Sequence, residues 1–215
     1  MDRPRIAKWA YWASLIAGIS YLAPVVAGTH GPLIILWKGL GVGFLAVYAA
    51  LNASDKAGVL ITLIMALGAA ADVVLDVHFS AGAALFALGH CVAIALYWQN
   101  RRPVLPGSQR ALVATTLVCV PLIAGLLAQR LDVVVYTLFL AAMAATAWAS
   151  RFPRYQTGLG AMMFVASDLL IFGRMGPLAD WAGIGVAVWG LYYAGQALIV
   201  RGVVQTQQDD AGTPR

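Results

Sequence analysis

The chain contains no glutamate, and only 11% of its 215 residues are charged. A soluble domain is usually about one quarter charged, because its surface must be hydrated. The composition is instead 61% hydrophobic, and the mean hydropathy is +0.81. These values exclude a soluble globule and predict a protein that is surrounded largely by lipid.

Cysteine and histidine are also scarce. The two cysteines, Cys91 and Cys119, lie in apolar runs, where they act as small hydrophobic residues and not as a disulfide framework. A zinc site with three histidines would need His30 from a turn and His78 from a span boundary in addition to His90. We therefore expect neither a metal nor a cofactor.

The formal net charge of +5 does not indicate a nucleic-acid partner, because the basic residues are spread between apolar runs. Most of them fall at joints on the side of the N-terminus: Arg3, Arg5, Lys8, Lys56, Arg101, Arg102, Arg110, Arg151, Arg154, Arg201 and Arg215. The opposite side has only Arg130 and Arg174. This asymmetry predicts that both termini are cytoplasmic, in a multi-pass protein of the cell membrane, which we expect to be a bacterial inner membrane.

A helix needs about 20 apolar residues to cross the hydrocarbon core, and the sequence contains eight such runs. They cover residues 7–27, 31–51, 57–77, 82–99, 109–128, 131–149, 157–173 and 180–200. Glycine, proline and charged residues mark the joints between them. The predicted fold is therefore an all-α bundle of eight transmembrane helices over residues 1–203. Residues 204–215 are predicted to form a polar, disordered tail.

Five ionisable residues lie inside the predicted spans: Lys38, Asp72, Asp76, His90 and Asp168. Such groups are costly in hydrocarbon, so they usually face a cavity or a partner and carry function. Counting about 1.5 Å per residue from the predicted helix ends puts all but Asp76 roughly 8–12 Å below the outer hydrocarbon boundary. Four helices are thus predicted to contribute to one polar site.

Structural interpretations of the same residues stay open. Lys38 could form an ion pair with an aspartate or extend toward the interface, and His90 could hydrogen-bond across helices. Asp76 and His78 lie near the lipid–water boundary, where solvation is inexpensive. Asp76 is also one turn from Asp72 on the same helical face, where it could influence that carboxyl group or line the entrance.

The last predicted span contributes uncharged polar groups. Tyr192 and Gln196 are four residues apart and therefore share one face of the helix. Both side chains donate and accept hydrogen bonds, which suits the wall of a site, although a packing role is equally consistent with the sequence. Counting from residue 180 places both below the layer of acids, toward the cytoplasmic half.

Four stretches, in order, resemble the lysoplasmalogenase (YhhN-like) family of polytopic membrane proteins. They are LWKGLGVGFL, ALGAAADVVL through to FALGHCVAIALYW, GAMMFVASDLLIF, and YYAGQALIV. The family usually has proline after the lysine and glycine before the first aspartate, where this chain has Gly39 and Ala71. Neither difference removes a chemical group.

The resemblance implies an ether hydrolase that cleaves the vinyl-ether bond of lysoplasmalogens to a fatty aldehyde and a glycerophospho-base. The matching acid positions are Asp72 and Asp168, which we expect to be catalytic. The residues expected to bind substrate or to tune the acids are Lys38, Asp76, His90, Tyr192, Tyr193 and Gln196. The implied partners are a lysophospholipid substrate and membrane lipids.

The residue types fit that chemistry. Cleavage of a vinyl ether requires one acid to protonate the alkene carbon and a second carboxylate to stabilise the oxocarbenium ion and activate water. Glycosidases meet a similar demand with two carboxyl groups. The pair Asp72 and Asp168 could meet it without a metal, with the assignment of acid and base left open.

The main alternative is a small transporter or proton-coupled carrier, because buried aspartate, lysine and histidine also build ion pathways. Carriers favour helices that are interrupted by glycine or proline near the midplane. Here these residues lie mostly at the joints, which favours the hydrolase.

A site in the outer half of the membrane makes Lys38 reachable from the non-cytoplasmic side. We expect Lys38→Cys, in a chain whose native cysteines are replaced by alanine, to react with a membrane-impermeant maleimide added outside intact cells. Arg110→Cys, at a predicted cytoplasmic joint, should react only after lysis. Labelling of both positions from the same side would contradict the predicted placement.

Overall fold

The computed structural model describes residues 2–212. Its α-helices are α1 (Arg3–Ser20), α2 (Leu22–Ala27), α3 (Pro32–Asn52), α4 (Lys56–Val77), α5 (Phe79–Gln99), α6 (Gly107–Ala128), α7 (Leu131–Ala149), α8 (Leu159–Arg174) and α9 (Ile184–Gly212). A π-helical turn, Arg154–Gly158, leads into α8. No strand occurs within residues 2–212.

Eight helical segments are long and apolar enough to cross a membrane, when α1 and α2 are taken as one segment and the π-helical turn is joined to α8. The predicted all-α fold with eight spans is confirmed, and the chain is a multi-pass membrane protein. The orientation of the termini stays a prediction.

The first span is not one continuous helix, because it breaks at Tyr21 between α1 and α2. Pro24 explains the break: it has no N–H to donate to the carbonyl of Ser20, and its ring crowds that carbonyl. The left-handed conformation of Gly28, with φ of 62°, then ends α2. Tyr21, Pro24 and Val25, at the break and within α2, line the cavity described below.

The last span differs most from its prediction. It begins at Ile184, and it continues to Gly212, so residues 204–212 are helical where a disordered tail was predicted. The extension is held by contacts that cross the joints: Gln207 hydrogen-bonds Asp55, and Arg151 Nη1 lies 2.7 Å from Asp210 Oδ2. The final predicted tail residues, 213–215, lie outside the described residues.

The helices pack into one bundle, and the spans that contain α8 and α9 have the largest buried shares among the described spans. Along the chain, α3 packs between α1 and α4, α5 packs between α4 and α7, and α8 packs on α9, which also contacts α3 and α4. α4 and α8 end at the face of the bundle where α3, α5 and α9 begin. Polar residues near those termini therefore meet at one end.

Two glycines allow α8 and α9 to approach closely. A Cβ atom added to Gly195 would lie 2.6 Å from the carbonyl oxygen of Gly160, and one added to Gly160 would lie 2.5 Å from the carbonyl oxygen of Gly195. Small residues at helix interfaces are a common means of bringing backbones together in membranes. This contact fixes the spacing of the two helices that carry Asp168 and Tyr192.

We expect Gly195→Ala to lower the free energy of unfolding by about 1–3 kcal/mol, because the new methyl group overpacks a backbone contact. Gly190→Ala is the matched control on the same helix, since a Cβ atom there meets nothing within 4 Å. Denaturant unfolding of the purified proteins in detergent measures both changes. Equal stability of the two variants would contradict the close approach.

Candidate active site

A cavity of about 500 Å³ lies at the end of the bundle that is opposite the N-terminus. Its polar walls come from four helices and the loop before α3. The buried or half-buried residues are Lys38, Asp72, Ser167, Asp168 and Tyr192, and the exposed ones are His30, Asp76 and Arg174. Its aromatic walls are Tyr21, Phe79, Phe86 and Trp189. The structure thus brings Lys38, Asp72 and Asp168 into one site, as their similar predicted depths suggested.

Asp72 lies on α4 and is 2% exposed. The hydroxyl group of Tyr192, on α9, donates a hydrogen bond of 2.8 Å to Asp72 Oδ2. Tyr192 was predicted to lie below the acids. It lies beside Asp72 because α9 begins at Ile184 and not at residue 180, which leaves Tyr192 about 12 Å from the start of the helix.

Asp168 lies on α8 and is 6% exposed. The hydroxyl group of Tyr136, on α7, donates a hydrogen bond of 2.6 Å to Asp168 Oδ2. His90 Nε2 is 3.2 Å from the same Tyr136 oxygen. The tautomer of His90 sets which of these two groups donates. The result is a chain of three side chains from α5, α7 and α8.

His90 does not lie in the layer of the other ionisable residues and does not line the large cavity. α5 begins at Phe79, three residues before the predicted start, so His90 lies about 16 Å along the helix, roughly one turn deeper than expected. It reaches the site only through Tyr136. The predicted position of His90 along its helix was wrong, because the start of α5 was placed three residues too late.

Lys38 pairs with Asp76. Lys38 Nζ lies 2.8 Å from Asp76 Oδ1, and the two side chains are 14% and 35% exposed. Both residues line the cavity, so this ion pair forms part of the wall beside Asp72. The partner of the lysine, which the sequence left open, is therefore the aspartate that lies closer to the surface.

The remaining predicted residues lie elsewhere. The hydroxyl oxygen of Tyr193 is 2.8 Å from Ser14 Oγ on α1, and the residue does not line the cavity. Gln196 is buried one turn below Tyr192 and borders a separate small void of about 20 Å³ together with His90. His78 caps α5 by accepting a hydrogen bond from the backbone N–H of Ala81.

Two site residues were not identified from the sequence. Tyr136 is about 8 Å from the start of α7, which is similar to the distance of each acid from the end of its own helix. The available signal was a tyrosine at that position in a predicted span. Arg174 was assigned only to a joint, yet it lines the mouth of the cavity. The positive charge at the end of the span that carries Asp168 was the available signal.

Removing the Tyr136 hydroxyl group should destabilise the bundle, because Asp168 and His90 would each lose a partner in a buried environment. We expect Tyr136→Phe to lower the free energy of unfolding by about 1–3 kcal/mol. Tyr155→Phe is the control, since Tyr155 is 83% exposed. Thermal melting in detergent, followed by circular dichroism, compares the two. Identical melting temperatures would rule out a structural contribution of this chain of hydrogen bonds.

One comparison with known proteins identifies the family. Residues 33–203 match the model of the YhhN family, which includes lysoplasmalogenases. No curated protein and no solved structure matches the chain. The matched region contains α3 from its second residue, all of α4 to α8, most of α9, and both buried aspartates. Because the match covers well over half of the sequence, the chain belongs to the YhhN family.

Proposed function

We propose that this protein is an intramembrane hydrolase that cleaves the vinyl-ether bond of lysoplasmalogens. The observation that carries the proposal is the pair of buried carboxyl groups, Asp72 and Asp168, which line one cavity from helices far apart in the sequence. Membership of a family that includes lysoplasmalogenases supports the same reaction.

The geometry of each carboxyl group leaves one oxygen for the substrate. Tyr192 and Tyr136 donate to the Oδ2 atoms, and no residue within 2–212 donates a hydrogen bond to either Oδ1 atom. A tyrosine hydroxyl fixes the orientation of the carboxyl group without adding a charge. The two Oδ1 atoms are therefore the candidates for proton transfer at the cavity surface.

In the proposed reaction, one carboxylic acid transfers its proton to the alkene carbon that is not bonded to the ether oxygen, and an oxocarbenium ion forms at the other alkene carbon. The other carboxylate stabilises this cation and removes a proton from the water that adds to it, as in the two-carboxyl chemistry of glycosidases. The resulting hemiacetal collapses to a fatty aldehyde and the glycerol hydroxyl group. One water is consumed. At this stage the aspartate that was the acid is ionised and the other is protonated, and a proton transfer between them restores the starting state.

The walls of the cavity suit a lipid and a short-lived cation. Tyr21, Phe86 and Trp189 surround the carboxyl groups with aromatic surface, which limits the entry of bulk water. The ion pair of Lys38 and Asp76 borders the same space. These features favour a reaction on an amphiphilic substrate over the conduction of small ions.

We expect Asp72→Asn and Asp168→Asn each to reduce turnover by several orders of magnitude, because each change removes a group that transfers a proton. The measurement is the release of free aldehyde from a lysoplasmenyl lipid by purified protein, compared with a matched lysoacyl lipid. Asp180→Asn, in the joint before α9, should retain full activity.

The outcomes separate the alternatives. Release of aldehyde by either asparagine variant at the rate of the unchanged protein would overturn the two-carboxyl mechanism. A protein that folds, as judged by its melting temperature, but releases no aldehyde would overturn the proposed reaction. Ion flux in sealed vesicles would then test the carrier.

A further inference from the structure

The large cavity has an apolar branch. A crevice of about 60 Å³ adjoins it between α5 and α7. The residues that line both spaces are Leu75, Phe79, Phe86, Asp168 and Ile171. Ala83, Val133 and Phe172 complete its apolar wall, and the exposed Phe79 lies at its rim. Tyr136 and Asp132, which is paired with Arg130, add the remaining polar groups, so the lining is largely apolar. Asp168 therefore lies at the junction of a polar space and an apolar one.

The polar space has an unpaired cation at its mouth. Of the two basic side chains that line it, Lys38 is neutralised by Asp76 at 2.8 Å. The guanidinium group of Arg174 is exposed, and within residues 2–212 it forms neither an ion pair nor a hydrogen bond. An unpaired guanidinium group is well suited to bidentate binding of a phosphate.

Arg174 and Asp168 lie on the same helix, about 9 Å apart along its axis. The glycerol unit between the phosphate and the first carbons of a lipid chain has a comparable extended length. A phosphate on Arg174 therefore puts the bond that joins glycerol to the chain beside Asp168. At Asp168 the cavity meets the crevice between α5 and α7.

We propose that Arg174 binds the phosphate of a single-chain phospholipid whose hydrocarbon chain enters the crevice between α5 and α7. The inference rests on the proposed function in taking the same cavity as the lipid site, and it adds the orientation of the substrate within it. The crevice holds the part of the chain nearest the headgroup, and the remainder of the chain lies among membrane lipids.

Binding of lipids that cannot be cleaved tests this orientation without turnover. The probes are a saturated 1-alkyl lysophospholipid and the 1-alkylglycerol with the same chain, titrated into purified protein in nanodiscs. We expect Arg174→Ala to weaken binding of the phospholipid about tenfold and to leave binding of the alkylglycerol unchanged. Arg174→Lys should retain part of the affinity for the phospholipid. Arg110→Ala, an exposed arginine that lines neither space, should have no effect.

Two neighbouring alanines test the path of the chain. Ala83 lines the crevice, whereas Ala84 is exposed on the outer surface of α5. We expect Ala83→Phe to weaken binding of both long-chain probes and Ala84→Phe to weaken neither. Melting temperatures close to that of the unchanged protein verify that the variants fold.

Three results would overturn the inference. The first is an equal loss for the phospholipid and the alkylglycerol in Arg174→Ala, and the second is equal binding by the two alanine variants. The third is displacement of the phospholipid by glycerol 3-phosphate at similar concentration, which would show a site for soluble phosphate esters. Binding that depends on Arg174 in a protein that releases no aldehyde would refute the reaction and keep this orientation.

Discussion

Polar side chains among the apolar helices of a membrane protein must find their partners within the protein, because hydrocarbon provides none. In this bundle each buried acid has a partner on another helix. Tyr192 holds Asp72, and Tyr136 holds Asp168. These contacts join α4 to α9 and α7 to α8, while the Lys38 ion pair joins α3 to α4. The groups that form the cavity therefore also determine how the helices around it meet.

The two carboxyl groups have different surroundings. Asp72 is one helical turn from Asp76, and the ion pair with Lys38 lies beside it. Asp168 is connected through the hydroxyl group of Tyr136 to His90. Enzymes that use two carboxyl groups assign acid and base roles through such differences in environment. The difference arises because α3 contributes the charged Lys38 on the side of Asp72, whereas α5 and α7 contribute His90 and Tyr136 on the side of Asp168.

The cavity occupies only one end of the bundle, and the remainder of the molecule is a support for it. Below the site, α9 is packed on several sides, and Gly160 and Gly195 allow α8 to approach its backbone. This packing positions the helix that carries Tyr192 against the helix that carries Asp168. The helical extension to Gly212 anchors the other end of α9 through contacts with Asp55 and Arg151. A rigid base of this kind keeps side chains from distant spans within hydrogen-bonding distance.

The sequence by itself determined the number of spans and the placement of Lys38, Asp72 and Asp168 toward one end of the bundle, since hydrophobic length and position along a helix depend on local order alone. It did not determine direction around the helix axis, which depends on neighbours that are distant in the chain. For that reason only the tertiary structure decided that Lys38 pairs with Asp76, that Tyr193 points to α1, and that Tyr136 reaches Asp168. The sequence also did not predict that α9 stays helical to its end or that Arg174 lines the cavity mouth, because both features depend on contacts between helices.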